Sequence, residues 1–274
     1  ALPGIKRLVL SRVTFQDGKE KREKMKLRRF KIDKECLRGL EVSITDEREI
    51  RHIAKVLRLK AGDEVILFDG EGKECHASLT RLSPREISLR LLREPSSAAA
   101  ESPLKIILGV GLLKSSKFDW LIQKTTELGV AEVVPFYSLH VVPRWEEAPP
   151  LAGSKQSRWE KIASEAAKQC GRAQVPKIHS PRSFEEVLAM KSEEATRILL
   201  WEKEPAGSFK NVSPSTASPI FVLIGPEGGF SDEEALRARE AGFQPIRLGP
   251  RILRAETAGI VIVSLLQLAL GDLS

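Results

Sequence analysis

Two glycine-containing loops near the C-terminus hold the residues whose types and spacing could do chemistry. The first runs Leu223-Ile224-Gly225-Pro226-Glu227-Gly228-Gly229-Phe230 and is followed by Ser231-Asp232-Glu233-Glu234. The second runs Leu248-Gly249-Pro250-Arg251-Ile252-Leu253-Arg254 and continues as Ala255-Glu256-Thr257-Ala258. Each leaves an apolar β-type run, Pro219–Ile224 or Pro245–Leu248, and opens a helix-like stretch. Backbone N–H groups and a helix N-terminus are thereby brought beside a ligand. Gly225, Gly228 and Gly229 permit close backbone approach, and Pro226 stiffens the turn. Ser231 with Glu234 three residues on is a capping box, so a helix is predicted to begin there. Arg251, Arg254 and Glu256 crowd around Gly249 before an almost wholly apolar helix, more charge than a simple turn needs.

Other chemistries leave no such trace. No G-x-x-x-x-G-K-[ST] loop, G-x-S-x-G elbow or full G-x-G-x-x-G is present; Gly109-Val110-Gly111 is only a fragment of the last. Nucleotide hydrolysis, serine-hydrolase and dinucleotide redox chemistry are therefore disfavoured. Glu165 and Gln169, four apart on a predicted helix, share a face, with Arg172 just beyond. The three cysteines (Cys36, Cys75, Cys170) show no C-x-x-C spacing, and the four histidines form no ligand-like pair. That argues for a reducing compartment and against structural zinc or a disulfide framework; no metal is expected.

The elements that must position these loops follow from length, charge and pattern. A chain of 274 residues is one large or two moderate domains. Its longest apolar stretch, Ile260–Leu270, falls short of the ~20 residues that span a membrane. Residues 1–94 carry 23 Lys+Arg against 16 Asp+Glu, whereas the remainder carries 21 of each. The whole +7 excess thus lies in the N-terminal third, as in a polyanion-binding module joined to a neutral one.

Residues 1–26 read as a charge-dense extension, without the serine-rich, acid-poor composition of a transit peptide. From Arg28 to Arg93 short strands alternate with turns. Val65–Phe68 and Cys75–Leu79 form a hairpin around Asp69-Gly70, and Ile87–Leu92 is another strand. Asp46–Leu59 has helical spacing, with Ile50, Ile53, Val56 and Leu57 on one face and His52, Lys55, Arg51 and Arg58 largely on the other. Residues 95–103 read as a linker by composition. Beyond it, Leu104–Val110, a helix Lys117–Leu128 capped by Ser116, Val130–Tyr137 and a helix Lys155–Cys170 follow. Phe184–Met190, Ile198–Trp201, Pro219–Ile224 and a buried helix Glu256–Leu270 complete a β/α alternation. Loops are expected at 143–153 and 208–218. This is an α/β fold with a mostly parallel sheet covered by helices.

These residues resemble a known family. Gly225-Pro-Glu-Gly-Gly-Phe-Ser231 and Leu248-Gly-x-x-Ile-Leu-Arg-x-Glu-Thr-Ala258 are similar to the S-adenosylmethionine-binding loops of the RsmE family, SPOUT-class methyltransferases that make 3-methyluridine in 16S ribosomal RNA. Lys124-Thr-Thr-Glu-Leu-Gly129 with Pro135, and Glu165-Ala-Ala-Lys-Gln-Cys-Gly-Arg172 with Pro176, fit the same family. Arg28-Arg-Phe30, His52, Val56-Leu-Arg58, Gly62-Asp63 and Phe68-Asp-Gly70 resemble its PUA-like RNA-binding domain. The resemblance covers about residues 27–271.

It implies a PUA-like β-barrel domain over 27–94 and a trefoil-knotted SPOUT methyltransferase domain over 104–274. It also implies a cytoplasmic homodimer, or an organellar one after import, acting on 16S ribosomal RNA or the small ribosomal subunit. S-adenosylmethionine would be held by Leu223, Ile224, Gly225, Pro226, Glu227, Gly228 and Gly229 of the first loop. Leu248, Gly249, Ile252, Leu253, Arg254, Thr257 and Ala258 would hold it from the second. Methylation at uridine N3 needs a proton acceptor and donors for the charge shared with the uracil carbonyls. Arg254 could meet that charge, a phosphate or the cofactor carboxylate. Glu227 or Glu256 could be the base, or could pin loop N–H groups or Arg254. Gln169 and Arg172 could hold the uracil or a phosphate, and Arg28, Arg29, His52 and Arg58 could bind RNA. Two other readings remain: a SPOUT enzyme acting on another base or a ribose 2′-hydroxyl, and a non-catalytic RNA-binding ribosome-assembly protein.

Overall fold

The computed structural model describes residues 27–98, 100–140, 151–190, 195–204, 209 and 218–273. The extension 1–26 and most of the loops expected at 143–153 and 208–218 lie outside the described residues. The first part of the chain contains β1 (Arg28–Lys31), a 3-10 turn at Lys34–Arg38, β2 (Glu41–Ile44) and α1 (Glu47–Arg51). It continues through a π-turn (His52–Val56) to β3 (Glu64–Phe68), β4 (Lys73–Leu82), β5 (Ile87–Leu91) and β6 (Ser96–Ser97). Next come β7 (Ile106–Gly111), α2 (Ser115–Glu127), β8 (Glu132–Tyr137), α3 (Leu151–Cys170), β9 (Lys177–Ile178) and β10 (Arg182–Ser183). The chain ends with α4 (Phe184–Leu188), β11 (Thr196–Leu200), β12 (Ile220–Ile224), α5 (Asp232–Glu240), β13 (Gln244–Ile246) and α6 (Ala255–Leu270).

The first six strands form a sheet of order β1-β3-β4-β5-β2, with β6 added to β4. Its hairpin turns where the sequence placed it, because the Asp69 carboxylate accepts the N–H groups of Glu71 at 2.7 Å and Lys73 at 3.0 Å. The segment expected to be a linker is tied down: Ser96 and Ser97 pair with Glu74 and Lys73. The expected long helix is also different. Asp46 caps α1, but after Arg51 the Leu57 N–H bonds to His52 C=O at 2.9 Å, one residue farther than in an α-helix. The widened turn carries Ile50 and Ile53 into the core and leaves Val56, expected beside them, 67% exposed.

The remaining strands form a sheet of order β10-β8-β7-β12-β11-β13, with β9 on β8, and every pairing in it is parallel. Helices cover both faces, so its central strands β7 and β12 are apolar and buried throughout. On one face Phe118, Leu121 and Ile122 of α2, Trp159 and Ala163 of α3, and Ile262, Val263 and Leu266 of α6 pack on Ile106, Leu108 and Val110. On the other, Phe184 and Val187 of α4 and Ala235 and Ala238 of α5 pack on Ile107, Phe136 and Phe221.

Ser116 does not cap α2. The helix starts at Ser115, and Lys114 occupies the cap position without a side-chain bond; Asp119 pairs with Arg158 of α3 at 2.5 Å. At the other end of the covering layer, Gln267 is fully buried. Its Oε1 accepts the Ser102 hydroxyl at 2.7 Å and its Nε2 donates to Leu128 C=O at 2.8 Å. Replacing Gln267 by leucine strands both partners, and denaturant unfolding is expected to show a loss of about 2–4 kcal/mol.

Glu132 anchors the N-terminal edge of this sheet, 2.7 Å from His179 Nε2 and 2.9 Å from Lys105 Nζ. The His179 hydrogen bond, with help from Lys105, outweighs burial and lowers its pKa from 4.5 to about 2. Because the folded-state value is the lower one, its stabilisation is present above about pH 4.5 and is lost as pH falls toward 2. Thermal unfolding of Glu132→Gln is therefore expected to lose less stability than the parent between those two pH values.

Candidate active site

The two glycine loops emerge from the same edge of the parallel sheet. They follow β12 and β13, which flank β11, so they begin about 10 Å apart, two strand spacings. Trp201, at the end of β11 between them, donates its backbone N–H to Ile246 C=O at 3.0 Å.

The first loop closes on itself through a bond from Gly229 N–H to Pro226 C=O at 3.0 Å, with Gly229 at φ 70°. Ser231 and Glu234 form the full capping box that starts α5. The loop also lies directly on β7. A Cβ at Gly111 would stand 2.6 Å from Pro226 N, and one at Gly109 2.5 Å from Leu223 Cδ2. The Gly109-Val110-Gly111 fragment therefore exists for close packing of β7 against β12 and its loop. Sequence reasoning missed this, since β12 lies far along the chain from β7.

Glu227 is held by α2. Its Oε1 accepts the Lys114 N–H at 3.2 Å and lies 3.2 Å from Lys117 Nζ. Burial alone would raise its pKa, but the Lys114 and Glu227 backbone N–H groups and the Lys117 ammonium outweigh burial and lower it. That makes Glu227 a pin between the first loop and the start of α2, and a weak proton acceptor. Its Oε2 is buried and finds no hydrogen-bond partner among the described residues.

In the second loop Gly249 turns at φ 93°, and Leu248 packs against the helix-covered core. Ile252 is 83% exposed and Leu253 is half-buried. Arg254 is the N-cap residue of α6: its backbone C=O accepts the Ala258 N–H at 2.8 Å, and its side chain is exposed. Among the described residues Arg247, Arg251 and Arg254 form no ion pair. Glu256 and Thr257 lie in the first turn of α6. Glu256 is buried, and its Oε2 also lacks a partner among those residues. The loop edge thus offers backbone N–H groups, two orphaned carboxylate oxygens and an orphaned indole N–H at Trp201. It can hold a ligand with both donors and acceptors, and it presents free guanidinium groups to an anion.

Two nominated residues are not at this edge. Arg172 lies where α3 has returned to the opposite edge of the sheet, bonding Thr126 C=O and Val130 C=O just before β8, both at 2.9 Å. The six residues of β8 put roughly 20 Å between the two edges. Arg172 is 4% exposed and also pairs with Glu101 at 3.0 Å, so it is not free to hold uracil or phosphate. Gln169 lies in the same region, in a groove of about 310 Å³ between α2 and α3 that Gln123, Glu127, Lys161 and Glu165 also line. Within one chain it does not reach the glycine loops.

The expected RNA-binding residues divide in the same way. Arg29 is taken up by Glu74 at 2.8 Å and by the Phe68 ring at 5.3 Å. Arg28, His52 and Arg58 are exposed. His52 shares a surface cleft with Arg51 and Lys55, which the sequence placed on its face, and with Arg48 and the exposed Val56. Residues 27–94 hold 15 Lys+Arg and 13 Asp+Glu, so most of the N-terminal excess of positive charge belongs to 1–26. Among the described residues no helix is long and apolar enough to cross a membrane, and no group of three or more His, Cys, Asp or Glu could hold a metal ion.

Residues 100–267 match the family model of an RNA methyltransferase domain, and residues 44–92 that of an RNA methyltransferase PUA domain. Ribosomal RNA small subunit methyltransferase E of Bacillus subtilis is 34% identical over 228 residues, 81% of this chain and 88% of its own. The solved structure of the enzyme of that name from Neisseria gonorrhoeae, bound to S-adenosylmethionine, has a TM-score of 0.82 at 31% identity and covers 90% of this chain and 100% of its own. A Legionella pneumophila methyltransferase with S-adenosylmethionine bound has a TM-score of 0.79 at 32% identity and covers the same shares of the two chains.

Proposed function

The chain belongs to the family of ribosomal RNA small subunit methyltransferase E, and on that premise we propose that it methylates uridine N3 in 16S ribosomal RNA. The observation that carries the reading is the pair of glycine loops on one sheet edge with orphaned acceptors and free arginines between and beside them. Those groups fit S-adenosylmethionine. Ribose hydroxyls and the amino groups of the cofactor need acceptors, which the Glu227 Oε2 and loop carbonyl groups supply, and its adenine and carboxylate need the donors of the loop backbone and Trp201. When bound, the cofactor supplies an electrophilic methyl group.

The residues of this chain then do the rest. The backbone of 223–229 and of 248–253 holds and orients, Thr257 and Ala258 shape the start of α6, and Arg254 meets the negative charge that uracil develops as N3 loses its proton. Glu227 is a poor proton acceptor, because Lys117 and two N–H groups stabilise its charge, and Glu256 takes that role in this reading. Since N3 lies on the pairing edge, the uridine must be unpaired or flipped out.

The working form is a homodimer. The outer face of α6 carries Val261, Leu265 and Leu268 in helical register, half-buried or exposed, with no cover among the described residues. A second copy would bury this stripe and bring Gln169 to the partner's loops. Leu265→Asp with Leu268→Asp is expected to shift the mass in solution from two chains to one, measured by light scattering. The division into 27–94, a connecting 95–103 and 104–274 belongs to the same reading. So does the trefoil knot, which the return of α6 from edge strand β13 to β12 and α2 supports. The compartment would be the one where the small subunit is assembled. The test is transfer of labelled methyl from S-adenosylmethionine to unmodified small-subunit RNA. Label released by ribonuclease supports the reading; cofactor binding without any transfer to RNA or particle rejects it.

A further inference from the structure

Arg29 and Arg172, 143 residues apart, meet each other. The Arg29 guanidinium, over Phe68 and paired with Glu74, donates to the Arg172 backbone C=O at 3.2 Å. The Arg172 guanidinium reaches the other way, to Thr126, Val130 and Glu101. The second Glu101 oxygen accepts the N–H groups of Ala173 and Gln174, both at 2.8 Å. The same short segment extends the N-terminal sheet: Val175 N–H bonds Gly70 C=O at 2.9 Å, and Gly72 N–H bonds Ala173 C=O at 3.3 Å. Phe68, Ala98, Ala173 and Val175 form an apolar cluster behind it.

A second tie lies one helical turn away. Lys168 of α3 pairs with Glu49 of α1 at 2.8 Å, and both side chains are largely covered. Glu49 sits next to Arg48 and two residues before Arg51, so this tie fixes the edge of the basic cleft. Contacts between modules of one chain are ordinarily looser and more easily solvated than this. Breaking one partner of a covered charge pair costs much more than an exposed pair contributes.

We propose that Arg172, with Arg29, Glu101 and the Lys168–Glu49 pair, is a positioning staple that holds the basic cleft of Arg48, Arg51, His52 and Lys55 in fixed relation to the methyltransferase module, so that one RNA engages both. Arg172 itself touches no RNA. The inference rests on the reading of the chain as an RNA methyltransferase. With the staple closed, the second RNA contact is intramolecular at high effective concentration; with it open, that advantage falls. Within one chain the glycine loops lie on the far edge of the sheet from the staple.

The test uses the full chain as wild type, Arg172→Lys, Glu101→Gln and Glu49→Gln. Unmodified small-subunit particles and S-adenosylmethionine are the substrates. Amide exchange is followed at Val175 and Gly72. The staple variants are expected to exchange these two amides about 10-fold faster than wild type, with β7 and β12 unchanged. The KM for particles is expected to rise about 10-fold, with kcat within twofold and with cofactor affinity and the salt dependence of RNA binding unchanged. A salt slope shallower by about one unit for a further variant, Arg172→Gln, which removes the charge that lysine keeps, would mean a direct phosphate contact and overturn the proposal. A fall in kcat at constant KM, or faster exchange with no change in KM, also overturns it. If Arg172→Lys does not fold, Glu49→Gln at the rim carries the comparison. If wild type transfers no methyl, the enzymatic reading is what fails, and the dissociation constant for particles replaces KM in the same comparison.

Discussion

Replacing Gly111 by alanine is expected to weaken S-adenosylmethionine binding by about 10–100-fold while the chain stays folded. The added Cβ would stand 2.6 Å from Pro226 N and 2.7 Å from Pro226 Cδ, closer than atoms tolerate. Its neighbour is loop backbone, which cannot swing aside as a side chain can. Overpacking of this kind costs about 1–3 kcal/mol. Because Pro226 belongs to the loop proposed to hold the cofactor, that cost appears as displacement of the loop, and each 1.4 kcal/mol lost from binding is about tenfold in affinity. Gly109→Ala makes the control. Its Cβ would meet Leu223 Cδ2 at 2.5 Å and the Phe221 ring at 3.1 Å, side-chain atoms of the core rather than loop backbone, so its effect on binding is expected to be several-fold smaller. Isothermal titration of both variants with the cofactor gives the answer, and equal affinities for Gly111→Ala and wild type would remove the close-packing argument.

Arg254→Ala is expected to cost about 100–1,000-fold in kcat, the usual loss when one preorganised donor to a developing negative charge is removed. Arg254 is exposed at the N-cap of α6 and is spent on no ion pair among the described residues, which leaves its planar donors for a substrate. Single-turnover kinetics separate its possible partners. A fall in kcat with unchanged cofactor affinity assigns it to the uracil. A rise in the cofactor dissociation constant assigns it to the cofactor carboxylate, and a shallower salt dependence of RNA binding assigns it to a phosphate. Arg254→Lys keeps the charge and loses the fork, so it is expected to recover only part of the rate.

How much of this could be read from residues alone depended on whether the cause was local. The capping box at Ser231 and Glu234, the Asp69-Gly70 turn and the β/α alternation are decided by neighbours in the chain, and they are where the sequence placed them. The two glycine loops stood out because charge and glycine sit together ahead of a helix. What escaped was set by distant partners. Gly111 looked like part of a nucleotide motif because nothing near it says that β12 inserts beside β7. Arg29 and Arg172 looked like free cations because Glu74, Glu101, Thr126 and Val130, which occupy them, lie elsewhere in the chain. Val56 looked like core because an α-helical period was carried through a π-turn, a single added residue that rotates everything beyond it. Glu227 could have been read as a base or a pin from its position. The Lys114 N–H and Lys117 ammonium beside it favour the pin.

These corrections leave a consistent division of labour. One sheet edge, with the glycine loops, Glu256 and Arg254, is the one proposed for the chemistry. The opposite edge, with Arg172 and the end of α3, fastens the N-terminal module. The α6 stripe between them is the surface through which a second copy would bring Gln169 to the chemical edge.

The most direct measurement is mass spectrometry of nucleosides from unmodified small-subunit particles and from naked ribosomal RNA, each incubated with the protein and methyl-labelled S-adenosylmethionine. Labelled 3-methyluridine is expected from at least one of the two substrates, and Arg254→Ala should abolish most of it. A label found instead on another base or on a ribose 2′-hydroxyl would contradict the assignment of uridine N3.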